Sequence, residues 1–413
     1  MSKPQTYGAF LSGNARWLGA AFLMTAFSGF GQTFFISLSA GDVRAELDLG
    51  NGAFGSLYMA ATLGSALTLP TLGRVLDRFS VAQVAAGVMV MLGLFCALMA
   101  SATSIWMAGI ALYGLRLFGQ GMMSNTAMTA AGRWFDAQRG RAVAVIGLGF
   151  PVSEAIMPVT FVAIMTSFGW RQGWWVAVAV MLALVLPIVL LLLRKERVPV
   201  NTSSDVKVVE RRHWTRAEVL RDPMFYLVSA GILAPPFIVT AVLFHQAYLV
   251  DLRGWTRELF ATAFIVMSAS AVLSSLVLGQ LIDRFTARRI LPFMLVPLAC
   301  GTAVLALVHA PYAPFIFMAL IGLSNGFVAT FTGALWPELY GTRHLGAVRS
   351  VVFAFMVFAS ALGPGLAGWL IDFGVPYDGQ ILGFSLYCLV MTAALASASR
   401  VLLKRDDLAS TAD

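Results

Sequence analysis

The sequence predicts an all-α integral membrane protein with twelve spanning helices. Hydrophobic residues make up 59% of its 413 residues and charged residues only 12%, whereas about a quarter of the residues of a soluble domain are charged. So few charges would not cover the surface of a water-soluble fold, but a bilayer solvates an apolar exterior. Short polar breaks divide the chain into apolar stretches of spanning length, and these give the helix count.

The first of these stretches, residues 17–41, carries no charge. The apolar core of a signal peptide has only about 7–15 residues, so we interpret this stretch as a retained first helix. The fourth and fifth stretches each contain one charge, and a polar break at residues 309–314 separates the ninth from the tenth. The predicted helices cover residues 17–41, 49–73, 79–100, 104–132, 142–167, 172–193, 223–250, 259–282, 290–308, 315–337, 350–371 and 379–399.

The basic residues predict the orientation. If the N-terminus is cytoplasmic, 23 of the 28 Lys and Arg residues lie in cytoplasmic segments, which is the positive-inside pattern. We therefore expect cytoplasmic termini and a location in the bacterial inner membrane. One long polar loop gives the predicted domains, which are a six-helix bundle over 1–194, a cytoplasmic linker over 195–221 and a second six-helix bundle over 222–413.

The charge distribution, the cysteines and the absence of known motifs argue against several other classes of protein. The net charge of +8 is spread between apolar runs and forms no basic face, so we expect no nucleic-acid partner. Cys96, Cys300 and Cys388 lie far apart inside apolar stretches and are interpreted as core residues. No zinc motif, nucleophile elbow or phosphate loop is recognisable, so we expect no cofactor, no metal and no enzymatic activity.

The two halves of the chain repeat each other. Gly73 to Arg78 and Gly279 to Arg284 both read G-x-x-x-D-R at the end of a predicted helix. The dipeptides Ser124-Asn125 and Ser324-Asn325 recur 200 residues apart. A six-helix unit duplicated in parallel is typical of one large class of transporters.

With these motifs the chain resembles the major facilitator superfamily over essentially its whole length. The run from Arg116 to Gly121 is similar to the arginine–glycine signature of that family's fourth helix. The runs Gly31 to Ile36 and Phe244 to Gln246 most resemble bacterial monocarboxylate or oxalate–formate porters. The resemblance implies two halves related by a pseudo-two-fold axis, transport by alternating access and monomeric function. It also implies a gating role for four helix-end residues, Asp77, Arg78, Asp283 and Arg284. The alternative is that they are topological anchors, which keep short loops on the cytoplasmic side.

Two charges inside predicted helices are the sharpest functional candidates. A charge at the bilayer centre costs at least about 2.5–3.5 kcal/mol and is a functional candidate by default. Arg116 lies 12 positions from Ser104, and Glu154 lies 12 positions from Thr166, near the outer ends of their predicted helices; this is about 18 Å at 1.5 Å per residue. If the two helices are neighbours, the side chains are within reach of each other. Glu154 is then a proton carrier and Arg116 its partner or the anchor of an anionic substrate; the alternative is a permanent structural ion pair.

Weaker candidates come from polar residues on apolar helices. Thr25, Ser28, Gln32 and Ser39 follow helical spacing along the first helix, and such a seam faces protein or water rather than lipid. Small polar residues also serve as packing surfaces between membrane helices, and a satisfied buried histidine is the alternative for His245. The additional candidates for contact with substrate or protons are Gln32, Tyr58, Gln120, His245 and Asn325.

The sequence therefore predicts a secondary transporter of a small organic solute, coupled to protons and in contact with the lipid bilayer. An organic anion such as a monocarboxylate, held by Arg116, is the first solute class. The alternative is efflux of amphipathic compounds or drugs. A non-transporting sensor or intramembrane enzyme is a third class, for which no motif is present.

Overall fold

The computed structural model describes residues 7–135, 138–195, 214–341 and 344–410, and all regular elements among them are helical. Ten described helices are long and apolar enough to cross a membrane, and one bent pair adds an eleventh. A twelfth segment runs without interruption from Ile105 to Trp134. This confirms the all-α fold, and the twelve segments agree with the predicted count.

The first six spanning segments contain several local changes of helix type. The first is broken, and the fourth and sixth each contain a π-helical stretch. They are α1 (Tyr7–Phe27, Ser28–Gly31, Thr33–Ile36, Ser37–Ser39 and Ala40–Glu46), α2 (Asn51–Leu72), α3 (Val81–Ala100), α4 (Ile105–Gly114, Leu115–Met123 and Ser124–Trp134), α5 (Arg139–Gly147 and Gly149–Phe168) and α6 (Trp170–Ala179, Val180–Val185 and Leu186–Leu192).

The last six segments are longer and more regular. Short helices over Val75–Arg78 and Arg216–Val219 lie outside the spanning segments. The six are α7 (Pro223–Phe244, continued by Gln246–Arg253), α8 (Arg257–Phe285), α9 (Ala287–Ile290, Leu291–Phe293 and Val296–Leu307), α10 (Ala313–Tyr340), α11 (Leu345–Asp372) and α12 (Tyr377–Ser410).

The chain divides into two compact units. One is formed within Met1–Leu47 and Ala60–Lys207, and the other within Asp48–Met59 and Val208–Asp413. The start of α2 therefore packs with the second unit. Most of the predicted linker, residues 196–213, lies outside the described residues.

In the second unit, α8 and α10 approach each other closely because α10 presents glycines. A Cβ atom on Gly322 would lie 2.2 Å from the Met267 carbonyl oxygen, and one on Gly326 would lie 2.2 Å from that of Ala271. Ser274 donates a hydrogen bond to the Leu323 carbonyl at 2.8 Å. Small residues and interhelical hydrogen bonds of this kind replace the hydrophobic effect as the attraction between membrane helices.

The first residues of α2 are held in the second unit by the end of α11. The Asp372 carboxylate accepts hydrogen bonds from the backbone N–H groups of Asn51, at 3.0 Å, and Gly52, at 2.7 Å. These are the first N–H groups of α2, which have no partner inside the helix. Trp369 adds a hydrogen bond from Nε1 to Ser56 Oγ at 2.8 Å. Asp372 thus acts as an N-terminal cap supplied by a distant part of the chain.

The prediction of one continuous first helix is wrong. The two parts of α1 meet at 46° across a break, and no proline is present there. Prolines that indicate bends in the sequence, such as Pro158 and Pro364, instead lie inside helices that continue past them.

Candidate functional site

The break in α1 lies between Gly31 and Thr33. The helix ends in a 3₁₀ turn over Ser28–Gly31, Gln32 is extended with φ −85° and ψ 152°, and helical geometry resumes at Thr33. A break inside a membrane span leaves backbone carbonyl and N–H groups without helical partners. These groups need partners from elsewhere in the fold.

Arg116 on α4 is one of these partners. Its side chain is only 2% exposed, and Nη1 donates to the Gly31 carbonyl oxygen at 3.3 Å and to Thr33 Oγ1 at 3.4 Å. Arg116 lies in the π-helical stretch Leu115–Met123. A cation at the carboxyl end of a helical segment also complements the partial negative charge of that end. The guanidinium therefore caps the first part of α1.

A glycine pair brings α1 and α4 together at this point. A Cβ atom on Gly31 would lie 2.1 Å from the Leu115 carbonyl oxygen and 2.7 Å from the Gly119 Cα atom. In turn, a Cβ atom on Gly119 would lie 2.6 Å from the Gly31 Cα atom. The two backbones are in direct contact, which places Arg116 within hydrogen-bonding distance of the break.

The other side of α1 packs against α5. The Thr25 hydroxyl donates to the Ile146 carbonyl at 2.6 Å, and a Cβ atom on Gly149 would lie 2.1 Å from Thr25 Oγ1. Similarly, a Cβ atom on Gly29 would lie 2.0 Å from Ser153 Oγ. Helix α5 therefore contacts α1 at Gly149 and at Ser153, the residue that precedes Glu154.

Glu154 lies on the face of α5 that is turned away from the bilayer. Val152 and Ile156, two residues before and after it, are exposed apolar side chains at 38% and 56%. At 3.6 residues per turn, two residues correspond to a rotation of about 200°, so Glu154 lies nearly opposite both. Glu154 itself is half-buried. In addition, Pro158 lacks the N–H that would bond the Glu154 carbonyl inside the helix.

Arg116 and Glu154 share no salt bridge among the described residues, and their predicted roles as proton carrier and partner stay predictions. Among the described residues, Glu154 takes part in no salt bridge, and Nη1 of Arg116 is directed to the break in α1. The two charges that the sequence places at the same depth thus have different surroundings.

The predicted polar seam of α1 is used largely for packing. Thr25 bonds α5 as described, Ser28 Oγ donates to the Thr25 carbonyl at 2.7 Å, and Ser39 Oγ accepts from Trp174 Nε1 at 3.0 Å. Gln32 at the break and Gln120 beside it on α4 are half-buried. These two amides remain candidates for contact with a solute.

The candidate substrate-contacting residues of the second unit are His245, Tyr58 and Asn325, and each has its own surroundings. His245 is buried, and its Nε2 atom lies 2.9 Å from the Pro364 carbonyl oxygen, a contact in which Nε2 donates. Tyr58 is fully buried with its ring centroid 4.5 Å from that of Phe244. Asn325 is half-buried on α10. The substrate roles of these three residues stay predictions.

The gating residues are described only in part. The side chains of Asp77 and Asp283 lie outside the described part of the chain, whereas Arg78 and Arg284 are exposed at helix ends. Their predicted role as a latch therefore stays a prediction.

Sequence reasoning missed the residues that build the break. Gly31, Thr33 and Gly119 were not singled out, although each lies next to a candidate. The available signal was the recurrence of two glycines separated by one residue, at Gly29 and Gly31 and again at Gly119 and Gly121. Glycine, as the smallest residue, allows the backbones of membrane helices to approach closely.

Comparison with known proteins identifies relatives over most of the chain. Residues 21–364 match the family model of the Major Facilitator Superfamily, and a second match covers 248–410. An "MFS-type efflux pump" of Mycolicibacterium smegmatis is 27% identical over 389 residues, which are 88% of this chain and 86% of that protein. The "MFS transporter asaE" of Aspergillus flavus is 22% identical over 243 residues, or 57% and 52% of the two chains.

Solved structures share the fold. A bacterial homolog of the human lysosomal transporter Spinster, in an inward-facing and unoccupied conformation, superposes with a TM-score of 0.71 at 16% identity and covers 97% of this chain and 99% of its own. The nucleoside transporter NupG superposes with a TM-score of 0.67 at 14% identity over 93% and 98% of the two chains. At such identities the similarity concerns the fold alone.

Proposed function

Because the chain belongs to the Major Facilitator Superfamily, we propose that it is a proton-coupled secondary transporter that exports small amphipathic organic solutes. In this proposal Glu154 is the carboxyl that takes up and releases the proton. The protein is a multi-pass membrane protein of a transporter family. We place it in the bacterial inner membrane with cytoplasmic termini, on the basis of its charge distribution.

The surroundings of Glu154 carry the proposal. A carboxylate held in a salt bridge keeps its charge, because the cation favours the ionised form. Glu154 takes part in no salt bridge with the described residues and is turned away from the exposed apolar face of α5. Its charge then depends on whether water reaches it, since an unsolvated charge inside a bilayer is costly. A transport cycle that alternately hydrates and dehydrates this carboxyl couples proton transfer to conformation.

The contacts of Arg116 and one of the relatives support export of an amphipathic solute. The Arg116 guanidinium donates to Gly31 and Thr33, so binding an organic anion requires those bonds to be exchanged. The relative that matches 88% of this chain bears the name of an efflux pump. Neither observation requires an anionic substrate.

The experiment is transport by purified protein in proteoliposomes under an imposed pH gradient, with ethidium as the amphipathic probe. We expect Glu154→Gln to abolish uphill accumulation, reducing it at least tenfold, while exchange of labelled for unlabelled probe across the membrane continues. Exchange continues because it needs solute binding and the conformational change but no net proton movement. The matched control is Glu258→Gln, which neutralises an exposed carboxylate in the first turn of α8 and should leave uphill transport unchanged. Uphill transport by Glu154→Gln at the wild-type level would exclude the proton-carrier role.

A monocarboxylate is the second candidate solute, and the observation that favours it is the buried positive charge of Arg116. Labelled lactate tests it, with Arg116→Lys as the variant because lysine keeps the charge but lacks the planar fork of donors that binds carboxylates bidentately. Saturable lactate binding that weakens at least tenfold in Arg116→Lys would favour this candidate over the amphipathic solute.

A further inference from the structure

We propose that the groove between α8 and α9 in the second unit binds the phosphate headgroup and one acyl chain of an anionic phospholipid. The groove has a volume of about 340 Å³, within the range of about 300–1,000 Å³ of small-molecule pockets. Its walls are apolar apart from one guanidinium group. The lining includes Leu278, Leu281, Phe285, Arg289, Ile290 and Phe293.

The groove is open on the side of α8 that faces the bilayer. Leu281 and Phe285 are exposed, and Phe293 in the short turn of α9 is 63% exposed. One turn before Leu281, on the same side of α8, Val277 is exposed in the same way. The apolar wall therefore continues along the spanning helix, as the surface against an acyl chain must.

Arg289 lines the groove, and Arg284 is nearby on α8, where its guanidinium lies 5.2 Å from the ring centroid of Phe285. Arg284 and Arg289 are exposed, and neither forms a salt bridge with any residue that the structure describes. Arg288 between them differs, because it is buried and its Nε atom lies 3.3 Å from Glu338 Oε1. Two exposed cations beside an apolar groove therefore remain for an external anion.

The chemistry of these groups favours a phospholipid over an apolar solute. Guanidinium groups bind phosphate oxygens through parallel charge-assisted hydrogen bonds. The arginines lie at the end of spanning helices, where lipid headgroups are found, on the side that the charge distribution predicts to be cytoplasmic. Anionic lipids concentrate in that leaflet and attract arginines near the surface. An uncharged occupant would fill the groove but would give the two cations no partner.

Native mass spectrometry of the detergent-purified protein tests the proposal, with phosphatidylglycerol as the probe and phosphatidylcholine of the same acyl chains as its zwitterionic counterpart. We expect wild-type protein to retain phosphatidylglycerol preferentially. The double variant Arg284→Gln/Arg289→Gln should weaken this binding by about fivefold for each arginine removed. Binding of phosphatidylcholine should remain unchanged.

Two further variants separate the groove from general surface charge. Arg74→Gln removes an exposed arginine near the end of α2 in the first unit and should leave phosphatidylglycerol binding unchanged. Leu281→Trp keeps both arginines but places a larger side chain in the groove, and it should weaken phosphatidylglycerol binding. Equal binding of the two lipids to wild-type protein would overturn the proposal, as would wild-type affinity in the double variant or in Leu281→Trp. Because none of these measurements involves transport, the outcome is independent of the proposed function.

Discussion

Replacing Gly119 with alanine tests the contact on which the break in α1 depends. The new Cβ atom would lie 2.6 Å from the Gly31 Cα atom and 2.7 Å from its nitrogen, whereas carbon atoms in contact are about 3.5–4.0 Å apart. Both neighbours are backbone atoms, so the two helices must separate by about 1 Å to restore a normal contact. The hydrogen bonds from Arg116 to Gly31 and Thr33 are already 3.3 and 3.4 Å long, and this separation breaks both.

The expected cost follows from two opposing terms. Overpacking typically costs about 1–3 kcal/mol, and alanine recovers about 0.8–1.0 kcal/mol of helix propensity relative to glycine. We therefore expect a net loss of up to about 2 kcal/mol, increased by the lost hydrogen bonds of the buried arginine. The assay is thermal unfolding of the detergent-purified protein, in which Gly119→Ala should lower Tm by several degrees.

The control for this variant is Gly87→Ala on α3. A Cβ atom at Gly87 meets nothing within 4 Å, so this change keeps only the favourable helix propensity and should raise Tm or leave it unchanged. If Gly119→Ala raises Tm as Gly87→Ala does, α1 and α4 are not in backbone contact and the account of Arg116 as a cap is refuted.

Two other measurements probe the polar contacts. Asp372→Asn should destabilise the protein by about 0.3–1 kcal/mol at low salt, because it removes a negative charge from the N-terminus of α2. In thermal unfolding, the difference in Tm between this variant and the wild type should shrink in 1 M salt. The control is Asp251→Asn, at an exposed carboxylate, which should show no salt-dependent difference. In a double-mutant cycle of unfolding free energies, Arg116→Gln and Glu154→Gln should be additive to within about 0.3–0.5 kcal/mol, the behaviour of residues that do not touch. A coupling well above that range would mean that the two charges do pair.

The spanning helices could be predicted because the bilayer constrains a property that is read along the sequence. Spanning helices must be apolar over a length set by the bilayer, so charge-free runs locate them, as α3 and α6 illustrate. The break in α1 was not predictable in the same way. Its donor, Arg116, is 85 positions from Gly31, and its close contact comes from Gly119 on the same distant helix. Within residues 17–41, Gly29 and Gly31 allow close contact with another helix, but they do not indicate that the helix itself breaks.

The sequence could not decide whether Arg116 and Glu154 pair, for an equally specific reason. Counting residues from a helix end gives the depth of a side chain in the bilayer, and depth was the quantity that Arg116 and Glu154 shared. Contact also requires that the two side chains point toward each other around their helix axes. For Glu154 the sequence does not give that angle, because both faces of α5 are apolar: Val152 and Ile156 are exposed, whereas Phe161 is buried. For Arg116 it depends on where α1 breaks, which only the structure reveals.

The break in α1 and Arg116 stabilise each other through hydrogen bonds that do not involve Glu154. A helix that ends inside the bilayer leaves carbonyl groups that require donors, and an arginine at that depth requires acceptors. Gly31 and Thr33 meet the second requirement while Arg116 meets the first. A carboxylate paired with the guanidinium would be held in its charged form. In the function that we propose, the Glu154 carboxyl therefore changes its protonation without breaking the cap of α1.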